Sequence, residues 1–403
     1  MKNSIRRAAG AASLVLMAGV ALSACSAGGS TDDSSRSLTL WDSFTQYDAA
    51  SPYGQLLSGC EASTGITLER TSDPDLTTKL LQSAASKTTP NLVVLDNPNI
   101  AKFADTGLLV DNETSGLDTA DVLPNVLAAG QLDGKTYGSS IGSNTLALFY
   151  NTALFEAAGV TPPTTWAELT SAAAALTSGD VTGIGFSAIG TEEGTFQFLP
   201  FYWGSGATLD DVSSDDAVAA LSLWTDLVTS GSASQSNVNA NQQDVRDQFL
   251  AGKLGMMVNG TWQLSALDEA GIGYGVVPIP AEDGGAAPSP LGGEFVEIVT
   301  SDASTQALAT EFAQCVIAPD SLKAWAAGQS YIMPYADAAA EQVTEDPALQ
   351  PWVEAISVAQ GRTSELGVGY PDTSKAIWTA IQEALTGSKT PQAALDDAAA
   401  SLK

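Results

Sequence analysis

Strand-like and helix-like segments alternate between residues 37 and 95, and this alternation narrows the possible folds more than any other feature of the chain. Residues 37–41 (SLTLW) alternate polar and apolar side chains, as a half-buried strand does. Residues 53–63 read as a helix, which Gly65 ends. A second strand is expected at 66–70, a second helix at 75–86, and a fully buried third strand at 91–95 (NLVVL). This βαβαβ order predicts a parallel sheet with right-handed crossovers. Trp41-Asp42 and Asp96-Asn97 leave the carboxyl ends of the outer two of these segments, so they are expected on one edge. In open α/β sheets that edge is where ligands bind.

The alternation resumes further on. Residues 144–150 (NTLALFY) read as a strand and 152–158 as a helix. Thr165 and Glu168 have capping-box spacing behind two prolines, predicting a helix that runs to about Leu176 and stops at Ser178-Gly179. Further helices are expected at 216–229, 244–250, 301–316, 346–358, 374–386 and 390–402, and strands at 182–187, 254–258, 274–279 and 294–299. No Pro/Gly/Ser linker divides the chain into halves. Two domains without a single linker imply that the chain crosses between them more than once, and such crossings make hinges.

The first residues read as a leader. Lys2, Arg6 and Arg7 precede an apolar run from Ala8 to Leu22, too short to span a bilayer comfortably. Leu22-Ser23-Ala24-Cys25 resembles a bacterial lipobox, which implies cleavage before Cys25 and a diacylglycerol on its sulfur. Two acyl chains suffice for stable anchoring. Residues 26–35, rich in Ser, Gly and Asp, then read as a flexible tether. The alternative is an ordinary secreted protein with a stray cysteine. The remaining chain of roughly 380 residues is too long for one modest core, so two domains are expected.

Composition excludes several function classes. With 46 acidic and 16 basic residues the formal net charge is −30, which repels nucleic acid and anionic headgroups. The chain contains no histidine and no CxxC pair, so no metal centre or cofactor site is expected. Two cysteines remain beyond Cys25, Cys60 and Cys315; they form a disulfide or are two buried thiols.

A succession of short blocks carries a resemblance. Asp133-Gly134-Lys135-Thr136-Tyr137-Gly138, followed by residues 143–151, resembles the hinge-crossing block of family 1 extracellular solute-binding proteins, the maltose/multiple-sugar class. Residues 154–160 and 163–169, 249–262 (FLAGKLGMMVNGTW), Val277-Pro278-Ile279-Pro280, Leu291-Gly292-Gly293, 376–378 and 394–398 continue the pattern in the same order. The resemblance implies a periplasmic-binding-protein-like α/β fold of type II, two α/β lobes joined by a multi-crossing hinge. It implies an N-terminal lobe of about 37–146 plus 280–330 and a C-terminal lobe of about 147–279 plus 331–403. Cys60 and Cys315 then share a lobe, which makes their pairing possible. It implies a monomeric receptor, lipid-anchored on the extracytoplasmic face. Such a receptor captures a mono- or oligosaccharide and hands it to the transmembrane permease of an ABC importer.

A sugar presents hydroxyls that need paired donors and acceptors, and apolar C–H faces that stack on aromatic rings. Candidate ligand-binding residues follow from that chemistry together with the resemblance. Asp96 and Asn97 end the NLVVL strand, where the family carries a sugar-binding carboxylate; a turn cap is the plain alternative. Trp41 and Asp42 end the first strand, though Trp41 also suits a core. Asn144 stands where the family's hinge-entering strand places a polar contact. Trp262 matches a stacking tryptophan, and Trp203 is a second candidate platform that a buried aromatic cluster explains equally well. Gly292 and Gly293 let backbone approach a ligand closely, or simply start a strand. Arg362 matches a basic position near ligands in relatives, and its fork can serve two hydroxyls; a surface ion pair is the alternative. Trp166, Trp224, Trp325 and Trp352 lie on helical stripes and read as packing, as Trp378 does.

The competing reading is a surface-anchored glycosidase, which needs only two carboxylates; Asp42, Asp96 and Glu294 could supply them. Residues 138–142 (GSSIG) fit a nucleophile elbow formally, but that triad needs an imidazole, which the chain lacks. No catalytic residue is therefore assigned.

Overall fold

The computed structural model describes residues 36–403. The leader, Cys25 and the tether up to Ser35 lie outside the described residues. Eleven strands are used below: β1 Ser37–Asp42, β2 Thr67–Ser72, β3 Leu92–Asp96, β4 Gln131–Leu132, β5 Lys135–Thr136, β6 Ser139–Ser140, β7 Leu146–Asn151, β8 Thr182–Gly185, β9 Leu254–Gly260, β10 Tyr274–Val277 and β11 Glu294–Ile298.

Two sheets organise the molecule. The first has the order β2-β1-β3-β11-β6. Its first three strands are parallel, while β11 runs antiparallel to both β3 and β6. The expected βαβαβ unit is therefore present, with helices Pro52–Thr64 and Leu76–Ser86 as its crossovers. Gly65, in the left-handed region at φ 68°, closes the first helix, where a side chain would be strained. The second sheet has the order β10-β7-β9-β8, with only β9 and β8 parallel. The central strand β9 is buried along its whole length and β7 nearly so, which is why both read as continuous apolar runs.

Each sheet packs helices on its faces. Beside the second sheet, helix Asp215–Thr229 presents Leu221, Trp224 and Leu227 to a core that includes Phe186, Phe198 and Phe201. Beside the first, helices Ala303–Ile317 and Pro319–Gln329 bury Phe312, Val316 and Trp325 with Tyr53 and Leu57. Cys60 and Cys315 are bonded, tying helix Pro52–Thr64 to helix Ala303–Ile317 with a Cα–Cα distance of 5.7 Å. The open question about the two thiols is thus answered in favour of the disulfide. Among the described residues no helix is long and apolar enough to cross a membrane.

Three chain segments cross between the sheets side by side. Asn144 exchanges backbone hydrogen bonds with Gly292 (N–O 3.1 and 2.8 Å), and Ser143 does the same with Ile332 (2.9 and 2.8 Å). The Leu291 amide donates to Gln360 O at 2.8 Å. The multi-crossing hinge expected from the missing linker is this small ladder. Two glycines are required by its tightness. A Cβ on Gly292 would lie 2.0 Å from Asn144 Oδ1, and Gly293 has φ 114° with Gly142 O 2.2 Å from where a Cβ would stand.

Several elements differ from expectation. Helix Glu192–Gly204 carries Pro200 inside it and two terminal glycines, which hide its period. Helix Pro319–Gln329 is mixed in polarity and weakly amphipathic, and helix Ala336–Glu345 carries its buried face on alanine and glutamine, so neither shows a run of large apolar residues. The Glu168 carboxylate accepts from Thr164 N, not Thr165 N, so the capping box is displaced by one residue, although Thr165 caps as expected. That helix ends on extended Thr177, before Gly179.

Candidate functional site

A cleft of about 380 Å³ opens where the two sheets face each other across the hinge ladder. Its floor is antiparallel pairing: Glu294, the first residue of β11, stands opposite Asp96, the last of β3. From the first-sheet side Phe44, Gln46, Tyr47, Gln329 and Tyr331 line it; from the other come Glu192, Glu193, Phe196, Gln242, Gln243 and Trp262. Asn144, Gly292 and Gly293 form the hinge edge, and Arg362 reaches in from the segment beyond it. A larger hollow of about 650 Å³ lies along the two C-terminal helices, but alanines and outward-pointing Lys–Asp/Glu pairs line it, with no aromatic surface. Convergent polar groups between aromatic walls favour the cleft as the site.

Arg362 organises the centre. The residue is only 2% exposed. Its guanidinium donates to Asp96 Oδ1 at 2.5 Å, to Glu192 Oε1 at 2.8 Å and to Asn97 Oδ1 at 3.4 Å, and it lies 4.9 Å from the Phe196 ring centroid. Burial works against its charge, but Asp96 and Glu192 outweigh burial and hold its pKa above the ordinary value. Glu192 also accepts from the hydroxyls of Tyr370 (2.7 Å) and Ser374. Burial nevertheless raises the Glu192 carboxyl, with Arg362 pulling the other way. Burial and then the nearby Asp96 charge push Glu294 up to about 8. Its Oε2 is buried and makes no hydrogen bond, and neither does Arg362 Nε. Both residues line the cleft, and such unpaired buried polar atoms call for a partner that a ligand or water can supply.

The structure thus brings together Asp96, Asn144, Trp262, Gly292, Gly293 and Arg362 from the sequence-derived set. The Trp262 ring covers Gly260, where a Cβ would meet it at 2.1 Å, and its centroid is 6.2 Å from that of Phe196.

Four residues need correction of their expected place. Strand alternation sends Trp41 and Asp42 to opposite faces of β1, neither of them the cleft. Trp41 packs under Lys79, whose Nζ is 4.7 Å from the ring centroid. Asp42 is fully buried, paired with Arg70 (2.6 and 3.0 Å). Arg70 also donates to the carbonyls of Phe44 (2.7 Å) and Tyr47 (2.6 Å), so this pair staples the loop that carries Phe44, Gln46 and Tyr47 into the cleft. Asn97 is fully buried and spans the hinge segment, donating to Leu291 O and Gly293 O at 3.2 and 3.1 Å. Trp203 is buried in the core beside the second sheet. With Asp42 sealed away, the pool of carboxylates for a glycosidase reading loses a member.

Sequence reasoning missed most of the lining. Phe196, Glu192 and Glu193 sit on the first turns of the unrecognised helix Glu192–Gly204, at the i, i+1 and i+4 spacing that shares a helix face. The acid pair followed three residues later by an aromatic was the available signal. Tyr47 and Gln329, joined at 2.5 Å from Tyr47 Oη to Gln329 Oε1, come from a loop and a helix end 282 residues apart, and no local pattern links them. Among the described residues no cluster of side chains fit to hold a metal occurs.

Comparison with known proteins agrees with this geometry. A solved ABC transporter solute-binding protein from Thermotoga lettingae, bound with alpha-D-tagatose, superposes with a TM-score of 0.79 at 25% identity, covering 91% of this chain and 98% of that one. The GacH receptor of Streptomyces glaucescens, solved unliganded and with acarbose, superposes with a TM-score of 0.76 at 25% identity, covering 90% and 96%. A binding protein of Brucella abortus is 27% identical over 220 residues, 52% of this chain and 54% of that protein, so the alignment spans about half the length of such curated relatives. The family profile described as bacterial extracellular solute-binding protein matches residues 55–351. The two lobes, the tied hinge and the cleft between them accordingly have the type II binding-protein architecture, and the chain belongs to the bacterial extracellular solute-binding proteins, a family of binding proteins rather than enzymes.

Proposed function

We propose that this protein is the lipid-anchored, extracytoplasmic receptor of an ABC importer, a monomer that captures a mono- or oligosaccharide between its lobes and delivers it to a permease. The observation that carries the reading is the cleft's composition. Asp96, Glu193, Glu294, Asn144, Gln242 and Arg362 offer acceptors and donors in one narrow space, and Trp262, Phe196 and Tyr47 supply ring faces for sugar C–H surfaces. The sugars named with the Thermotoga and Streptomyces structures support a saccharide as ligand. Anchoring rests on the Leu22-Ser23-Ala24-Cys25 motif. For the lobes we propose 37–146 plus 280–330 and 147–279 plus 331–403, with the crossings at the hinge ladder.

Binding stabilises closure only by the ligand's greater affinity for the closed form. A thermal-shift screen over mono- and oligosaccharides tests the proposal, because a ligand at 100 times its Kd adds about 2.7 kcal/mol of stability. At least one saccharide is expected to raise Tm by several degrees. A flat response to every saccharide, with a shift from a peptide or an ion instead, sinks the reading. Mass spectrometry of the membrane-extracted protein tests the anchor: a diacylated Cys25 is expected at the mature amino terminus.

A further inference from the structure

The cleft's charge does not suit a neutral ligand. Among the described residues lining it, Asp96, Glu192, Glu193 and Glu294 are carboxylic acids and Arg362 is the only cation. That cation is already spent, since Asp96 and Glu192 share its guanidinium. Two acids are left without a cationic partner, one on each side of the opening. Glu193 accepts from Ser187 Oγ and Gln242 N, both at 2.7 Å and both on Oε1. Glu294 keeps a buried Oε2 with no partner at all. Burial and the Asp96 charge already push Glu294 up to about 8, so closing the cleft on an uncharged sugar leaves a proton on Glu294 and the Glu193 carboxylate in a shrinking, poorly hydrated space. A ligand cation placed between them removes that cost.

The walls favour the same chemistry. Trp262, Phe196 and Tyr47 line the cleft, and an aromatic ring attracts an ammonium as well as it stacks a sugar C–H surface. One such contact is already made inside the protein, between Arg362 and Phe196. Arg362, a lining residue only 2% exposed, leaves its buried Nε without a partner, a donor that a ligand hydroxyl or water could satisfy. Hydroxyl-seeking and cation-seeking groups thus occur together.

We propose that the ligand is a saccharide bearing a protonated amine, with the ammonium held between Glu193 and Glu294 and the sugar ring against Trp262. This rests on the saccharide reading above and narrows it to amino sugars and their oligomers.

Isothermal titration of the whole protein with matched sets tests it: glucosamine, galactosamine and their short oligomers, each beside its N-acetylated form and its neutral parent sugar, below the amine's pKa. The free-amine member of at least one set is expected to bind about tenfold tighter than both its counterparts, with the gap shrinking as salt rises. Glu193→Gln is expected to remove most of that gap, lowering affinity for the free amine more than for the neutral parent. Neutral or acetylated members binding as tightly as the amine overturn the inference and leave the saccharide reading standing. A response to none of the sugars overturns both. The wild-type comparison alone decides the matter if the variant does not fold.

Discussion

Arg362 and Glu192 meet at 2.8 Å although 170 residues separate them, and the same guanidinium also holds Asp96. Asp96 ends a strand of the first sheet, whereas Glu192 opens a helix packed beside the second. One side chain therefore bonds both walls of the cleft. Replacing Arg362 with Ala is expected to destabilise the protein by about 2–3 kcal/mol, less than the about 3–5 kcal/mol of a fully dry pair, because Asp96 and Glu192 keep 40% and 31% of their side-chain surface. Urea unfolding measures this; an unchanged midpoint would show that the triad contributes nothing.

Trp262→Ala removes the ring that covers Gly260 and faces the cleft. Saccharide affinity is expected to fall about tenfold or more, with little change in unfolding midpoint, since the residue is only partly buried. Trp41→Phe, by contrast, alters a ring packed under Lys79 and should leave affinity within about twofold. Calorimetry on the two variants separates the two tryptophans.

Arg70→Met leaves the Asp42 carboxylate buried without its partner and frees the carbonyls of Phe44 and Tyr47. A stability loss of about 3 kcal/mol is expected. Sugar affinity should also weaken, because the loop that brings Phe44 and Tyr47 to the cleft loses its staple. Stability lost with affinity intact would mean the loop is held by other contacts.

The Glu294 carboxyl titrates near 8 in the fold against about 4.5 in the unfolded chain. The folded state then holds the proton that the unfolded state releases, so this contribution is complete below about pH 4.5 and is lost as pH rises through about 8. Glu297, fully buried on the same strand with neither carboxylate oxygen partnered, is raised well above its usual range by burial and acts in the same direction. Glu294→Gln should flatten the decline in urea-unfolding free energy between pH 5 and pH 8, by on the order of a few kcal/mol. A decline identical to the wild type's would rule out this assignment.

Cys60 and Cys315 close a loop of 255 residues. Replacing both with Ser is expected to lower unfolding free energy by about 2–4 kcal/mol, mostly through the freer unfolded chain. Reductant should then have no further effect, which differential scanning calorimetry can check.

The sequence by itself determined the elements whose period is local. The βαβαβ opening, the buried strands β7 and β9, Gly65 as a helix stop and the absence of a single linker were legible because period, caps and composition act over a few residues. Ordered blocks further implied the lobes, the hinge and most of the cleft's own tryptophan, arginine and glycine positions. Tertiary structure alone decided the rest. Trp41 and Asp42 sit at the predicted strand end, yet strand alternation and the partners Lys79 and Arg70 carry them away from the cleft. Asn97 became a hinge clamp because Leu291 and Gly293, almost two hundred residues later, put their carbonyls within its reach. Glu192, Glu193 and Phe196 entered the site on a helix that Pro200 conceals. Which side chains share a cleft depends on contacts distant in the chain, and no local pattern encodes those.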